Sequence, residues 1–148
     1  NAVSRRQIPS GVEVFEIHGP FFFGITTAFT ETMKRIEHKP KIRILRMRSV
    51  LSVDATAINA LTHVFNECRR SGIALILSGV HAQPLFALER SGLLERIGED
   101  RVCGNIDDAL NAARRILGLP EQARPEPFVP TVRREMSAAP SSSGQNAS

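Results

Sequence analysis

Asp54 and Thr56 place a carboxylate and a hydroxyl two residues apart, in the run Asp54-Ala55-Thr56-Ala57 between an apolar stretch and a helical periodicity. At a helix start, an acid accepts from first-turn N–H groups, an arrangement that stabilises by about 0.5–2 kcal/mol. The same place accommodates a phosphate, because backbone N–H groups and the positive end of the helix dipole face it. A phosphate on Thr56 would set roughly −1.5 to −2 charges beside the Asp54 carboxylate. The motif therefore offers capping and charge switching. The simpler reading keeps Asp54 as a cap and Thr56 as an ordinary first-turn residue.

Other reactive side chains form no set with a chemical purpose. His18, His38, His63 and His81 lack HxxxH or HExxH spacing, which argues against a metal. Cys68 and Cys103 lie far apart without a CxxC or metal-binding spacing, and read as two reduced thiols. Ser78-Gly79-Val80-His81 lacks the lysine and glycine spacing of a phosphate-binding loop. Sequence order shows no Ser-His-Asp, Cys-His or paired-carboxylate set. The expectation is a binding or regulatory module without catalytic residues, metal or cofactor. The net charge of +4 comes without a basic helix or basic–aromatic interleaving, so nucleic acid is not expected as a partner. Lys34, Arg35, Lys39, Lys41 and Arg43 cluster in sequence and suit lipid phosphates or an acidic partner, or simply a solvated face. Phe21, Phe22 and Phe23 cannot all point inward if extended. They read as a core plug at a turn, with one ring left at the surface for docking.

The elements that must position these residues follow from periodicity. Gly11–Ile17 alternates and is stopped by His18-Gly19-Pro20, which predicts a strand. Ile25–His38 carries Ile25, Phe29, Met33 and Ile36 at helical spacing, and Lys39-Pro40-Lys41 breaks it. Ile42–Arg48 is a second strand. The helix after Asp54 has Ile58, Leu61, Phe65 and Cys68 on one stripe and ends at Ser71-Gly72. Ile73–Leu77 reads as a strand covered on both faces. Gln83–Arg90 is a short helix stopped by Ser91-Gly92, Arg101–Gly104 a short edge strand, and Asn105–Leu117 a helix with acids first and arginines last.

This β-α-β-α-β-α-β-α order predicts an α/β fold: a central mixed, mainly parallel sheet covered by about four helices. The 148 residues suffice for one domain and an extension. Residues 1–7 read as a cloning scar or linker, 8–118 as the domain, and 119–148 as a Pro/Ser-rich flexible tail contributing little to stability. No run reaches the roughly 18–20 apolar residues that span a bilayer. The chain reads as a fragment of something larger.

Several segments together resemble the STAS domain, shared by sulfate permease (SulP) anion transporters and bacterial anti-sigma factor antagonists. They are Gly19-Pro20-Phe21-Phe22-Phe23-Gly24, Leu45-Arg46-Met47-Arg48 with Val50 and Asp54-Ala55-Thr56, Ile76-Leu77-Ser78-Gly79-Val80, and Ser91-Gly92-Leu93-Leu94. The resemblance covers roughly Ile8 to Leu117, and the first two segments favour the transporter branch. It implies a cytosolic C-terminal regulatory and docking domain at the inner face of a bacterial inner membrane. The implied partners are the membrane domain of the same transporter and other proteins or a second copy. Thr56 matches the phosphorylated hydroxyl of the antagonists, while Ala57 stands where the family usually has glycine. On the reading of the aromatic run and the basic cluster above, Phe21, Phe22, Phe23, Lys39 and Lys41 are the expected docking surface. The alternative is a free-standing, antagonist-like phospho-switch.

Overall fold

The computed structural model describes residues 8–17 and 39–123. The expected helix over Ile25–His38 and the Phe21–Phe23 run lie outside these residues. Three strands, β1 (Val12–Glu16), β2 (Ile42–Arg46) and β3 (Ala74–Ser78), form one sheet in the order β1-β2-β3. Both pairings are parallel, with Val12 opposite Ile42 and Ile42 opposite Ala74. The three apolar runs thus share a sheet, but among the described residues only β2 has a strand on each side. All five β2 residues are buried, as expected of a parallel strand covered on both faces.

Strand alternation divides the core in two. Ile42, Ile44 and Ile76 face α4 (Ile106–Leu117), meeting Ala109, Ala112 and Ala113, whose small side chains let the helix lie close to the sheet. Leu45, Leu75 and Leu77 face the other way, onto Leu61, Val64, Phe65 and Cys68 of α1 (Ala55–Arg70). Leu88 of α2 (Ala82–Ser91) and Leu93 and Ile97 of α3 (Leu93–Ile97) complete that layer. Pro84 is tolerated in the first turn of α2, where its missing N–H would have no intrahelical partner.

Two elements differ from expectation. Ser91-Gly92 ends α2, as read, but the chain resumes as α3 at once. Gly92, at φ 83°, redirects the backbone, and Leu93 and Ile97 enter the core four residues apart. The expected edge strand Arg101–Gly104 is a single parallel bridge between Leu77 and Val102, with the Cys103 N–H donating to Leu77 O at 2.8 Å. A 3-10 turn over Glu99–Arg101 and the α4 cap at Asn105 leave too few extended residues for a ladder.

A larger correction concerns Arg43, which does not belong to a solvated basic face. It is fully buried on β2, on the Leu45 side of the sheet, with Nη2 2.6 Å from Oε1 of Glu13, its register partner on β1. Burial pushes its guanidinium pKa down from the ordinary value and the Glu13 charge opposes that. One step along, Arg46, 6% exposed, pairs with Glu16 at 3.7 Å, again its register partner. Lys39 and Lys41 are exposed, whereas Lys34 and Arg35 lie outside the described residues.

Glu13→Gln removes the charge balancing a buried guanidinium and is expected to destabilise by about 1–3 kcal/mol. Arg43→Met, which removes the need for that charge, should cost less. Urea midpoints at unchanged slope would measure both. A larger loss for Arg43→Met than for Glu13→Gln would show that the arginine's other contacts outweigh the pair.

Candidate functional site at the start of helix α1

The chain leaves β2 at the C-terminal edge of the sheet and crosses to α1 through residues 47–54. Met47 donates its N–H to Ser78 O at 2.7 Å, Val50 donates to Met47 O at 2.9 Å, and Val50 and Val53 are buried. The loop is therefore anchored by apolar side chains at both ends. Asp54 then caps α1 in an extended conformation, Oδ1 accepting from the Ala57 N–H at 2.9 Å. Asp54, Ala55 and Thr56 are exposed. Ala57 is 5% exposed and packs into the core. The N–H held by the cap is thus that of Ala57, and the Thr56 side chain stands at the surface.

The loop is tied to the start of α2 at three points. The Gln83 side-chain amide holds both backbone groups of Val53, Oε1 accepting from its N–H at 2.7 Å and Nε2 donating to its carbonyl at 3.1 Å. The His81 ring nitrogen Nε2 lies 2.7 Å from Arg48 O. Gly79, at φ 69°, lets the β3–α2 turn come so close that a Cβ there would sit 3.0 Å from the Arg48 nitrogen. Only glycine meets both demands. Sequence reasoning missed Gln83 because its partner lies 30 residues away, and a first-turn glutamine carries no local mark of such a role.

Between the start of α1 and the length of α2 runs an open groove of about 400 Å³, lined by Val53, Asp54, Ile58, Gln83, Phe86 and Arg90 among others. Phe86 is 54% exposed, with the Arg90 guanidinium 5.6 Å from its ring centroid. Leu51 and Leu85 are also exposed, at 71% and 41%. A large exposed aromatic on the wall of a groove, as Phe86 is, suits protein contact. Thr56 stands beside this groove, in the same helical turn as Asp54, without lining it.

Lys39 and Lys41 are not part of this site. They precede β2 at the opposite edge of the sheet, and Lys41 lies along Gly11 with its N–H bonded to Gly11 O at 2.8 Å. The length of β2, about 16 Å at ~3.3 Å per residue, separates the two ends. Phe21, Phe22 and Phe23 lie outside the described residues; among the described residues the exposed aromatic at the site is Phe86. Cys68 and Cys103 are free thiols in different core layers, each pushed up to about 11 chiefly by burial. Among the described residues no group of three or more His, Cys, Asp or Glu is placed to hold a metal ion. No helix among them is long and apolar enough to cross a membrane.

Removing the cap in Asp54→Ala is expected to cost about 0.5–2 kcal/mol by thermal or urea denaturation. Thr56→Glu, at an exposed first-turn position, should leave the fold and its far-UV circular dichroism intact. Loss of cooperative unfolding in Thr56→Glu would mean that the turn is more constrained than its exposure implies.

The chain matches the STAS domain family over residues 5–111. The crystal structure of a sulfate transporter family protein from Wolinella succinogenes superposes with a TM-score of 0.72 at 43% identity, covering 78% of this chain and 94% of that one. The STAS domain of a SulP transporter from Vibrio cholerae superposes with a TM-score of 0.70 at 30% identity, covering 79% and 92%. The candidate sulfate transporter YvdB of Bacillus subtilis is 31% identical over 107 residues, 72% of this chain. This chain spans 20% of YvdB's length. The capped start of α1, the parallel sheet and these matches place the chain in the STAS domain family, with relatives among the SulP sulfate transporters.

Proposed function

We propose that this chain is the cytosolic C-terminal STAS domain of a SulP-type inner-membrane anion transporter, and that it serves regulation, assembly and docking rather than catalysis. The observation that carries this reading is the exposed groove between α1 and α2, with Phe86 on its wall and Thr56 beside it. Matching only a fifth of YvdB supports it too, since the remainder of such a relative leaves room for a membrane domain. Translocation itself would belong to that membrane domain.

The groove would act as the contact, and the α1 start as its charge control. The Ala57 N–H is already held by Asp54, so a phosphate on Thr56 would meet a neighbouring carboxylate and only part of the helix-terminal field. The fold would absorb that at an exposed position, and the change would fall on whatever occupies the groove. An antagonist-like switch protein would use the same Thr56. A full reading frame with many hydrophobic spans favours the transporter, and one without them favours the switch.

In the full-length protein, anion uptake and association of the domain with the membrane part are to be compared for wild type, Thr56→Ala, Thr56→Glu and Phe86→Asp at equal expression. Thr56→Glu and Phe86→Asp are expected to weaken association and alter uptake, with Thr56→Ala near wild type. If all three leave both readouts unchanged, Thr56 is only a helix-start residue and the groove is not the contact.

A further inference from the structure

On the other side of the sheet, α4 ends in a glycine cap. Gly118 adopts φ 76°, its N–H reaches Arg115 O at 3.2 Å, and the Leu119 N–H reaches Arg114 O at 2.8 Å. These bonds satisfy the carbonyls of Arg114 and Arg115. The chain nevertheless turns back along the helix. The Asn111 amide takes both backbone groups of Gln122, Nδ2 donating to its carbonyl at 2.9 Å and Oδ1 accepting from its N–H at 2.9 Å. Arg115 Nη1 donates to Glu121 Oε2 at 2.8 Å. Asn111 and Arg115 are four residues apart and so share one helix face.

Through Glu121 this return forms one wall of an open cleft of about 330 Å³. Its walls include Asp100, Cys103, Asp108, Asn111, Arg115 and Glu121. We propose that residues 119–123 are a releasable strap, fastened by Asn111 and Arg115, which walls one side of the Cys103 cleft and couples the chain that follows to α4. The fastenings favour release. The Arg115–Glu121 pair is about half exposed on both sides, which makes it weak and sensitive to salt. The Asn111 bonds are exposed as well. These contacts work against the ordering entropy of five residues, so opening requires little free energy. A pull on the following segment, or a partner bound to it, would then widen the cleft. Cys103 is half-buried, and burial is the chief cause of its raised thiol pKa. Opening would remove part of that cover. The strap does not depend on the transporter reading.

The test alkylates the 148-residue chain with N-ethylmaleimide and follows Cys103 and Cys68 separately by peptide mass spectrometry. The comparison is wild type against Asn111→Ala and Gln122→Pro, the second removing the N–H that Asn111 accepts. Both variants are expected to react several-fold faster at Cys103, with fully buried Cys68 unchanged and faster hydrogen exchange over 118–123. Wild-type Cys103 rates in both variants would overturn the proposal. So would a rise shared equally by Cys68, since that reports global opening.

Discussion

The parallel pairing of β1 on β2 places Glu13 opposite Arg43 and Glu16 opposite Arg46. A guanidinium without solvent access requires a carboxylate nearby, because the cost of desolvating it exceeds what packing returns. Slipping β1 by one residue would turn Glu13 to the opposite face and take its charge away from Arg43. The two cross-strand pairs therefore select one register, on a strand bonded to β2 alone among the described residues. The aligned sheet then sets where β2 and β3 end together. The Met47 N–H meets Ser78 O there, and the two following loops can meet at Arg48 and Gly79.

Everything at the α1 start rests on that meeting. Loops at the C-terminal edge of a parallel sheet carry function because a rigid scaffold positions them. Here the scaffold is extended by Gln83, which makes α2 and the 47–54 loop one unit and fixes Val53 directly before the Asp54 cap. The groove is thus walled by elements that cannot shift independently. At the N-terminal edge Lys39 and Lys41 stay separate, and on the far face α4 carries its own feature in the strap. The domain presents three surfaces with different chemistry, joined by one rigid sheet.

The sequence by itself determined what depends on near neighbours along the chain. The Asp54 cap, the Ile58–Leu61–Phe65–Cys68 stripe and the Ser71-Gly72 stop define α1, because capping and side-chain periodicity act within a turn or two. The acids and arginines at the two ends of α4 follow the same local electrostatics. The motif segments from Gly19-Pro20 to Leu93-Leu94, taken as a set, were also enough to suggest the family. Tertiary structure alone decided the rest. Arg43 looked like a surface cation because charge is a property of the residue, whereas burial is set by the strands and helices that cover β2. Ser91-Gly92 reads as the end of an element because Gly92 stops a helix locally, and only core packing of Leu93 and Ile97 shows that another begins at once. Gln83 on Val53 and Asn111 on Gln122 join residues separated by 30 and 11 positions. Such bonds leave no periodic trace, since they form only after the chain has folded back to bring their partners together.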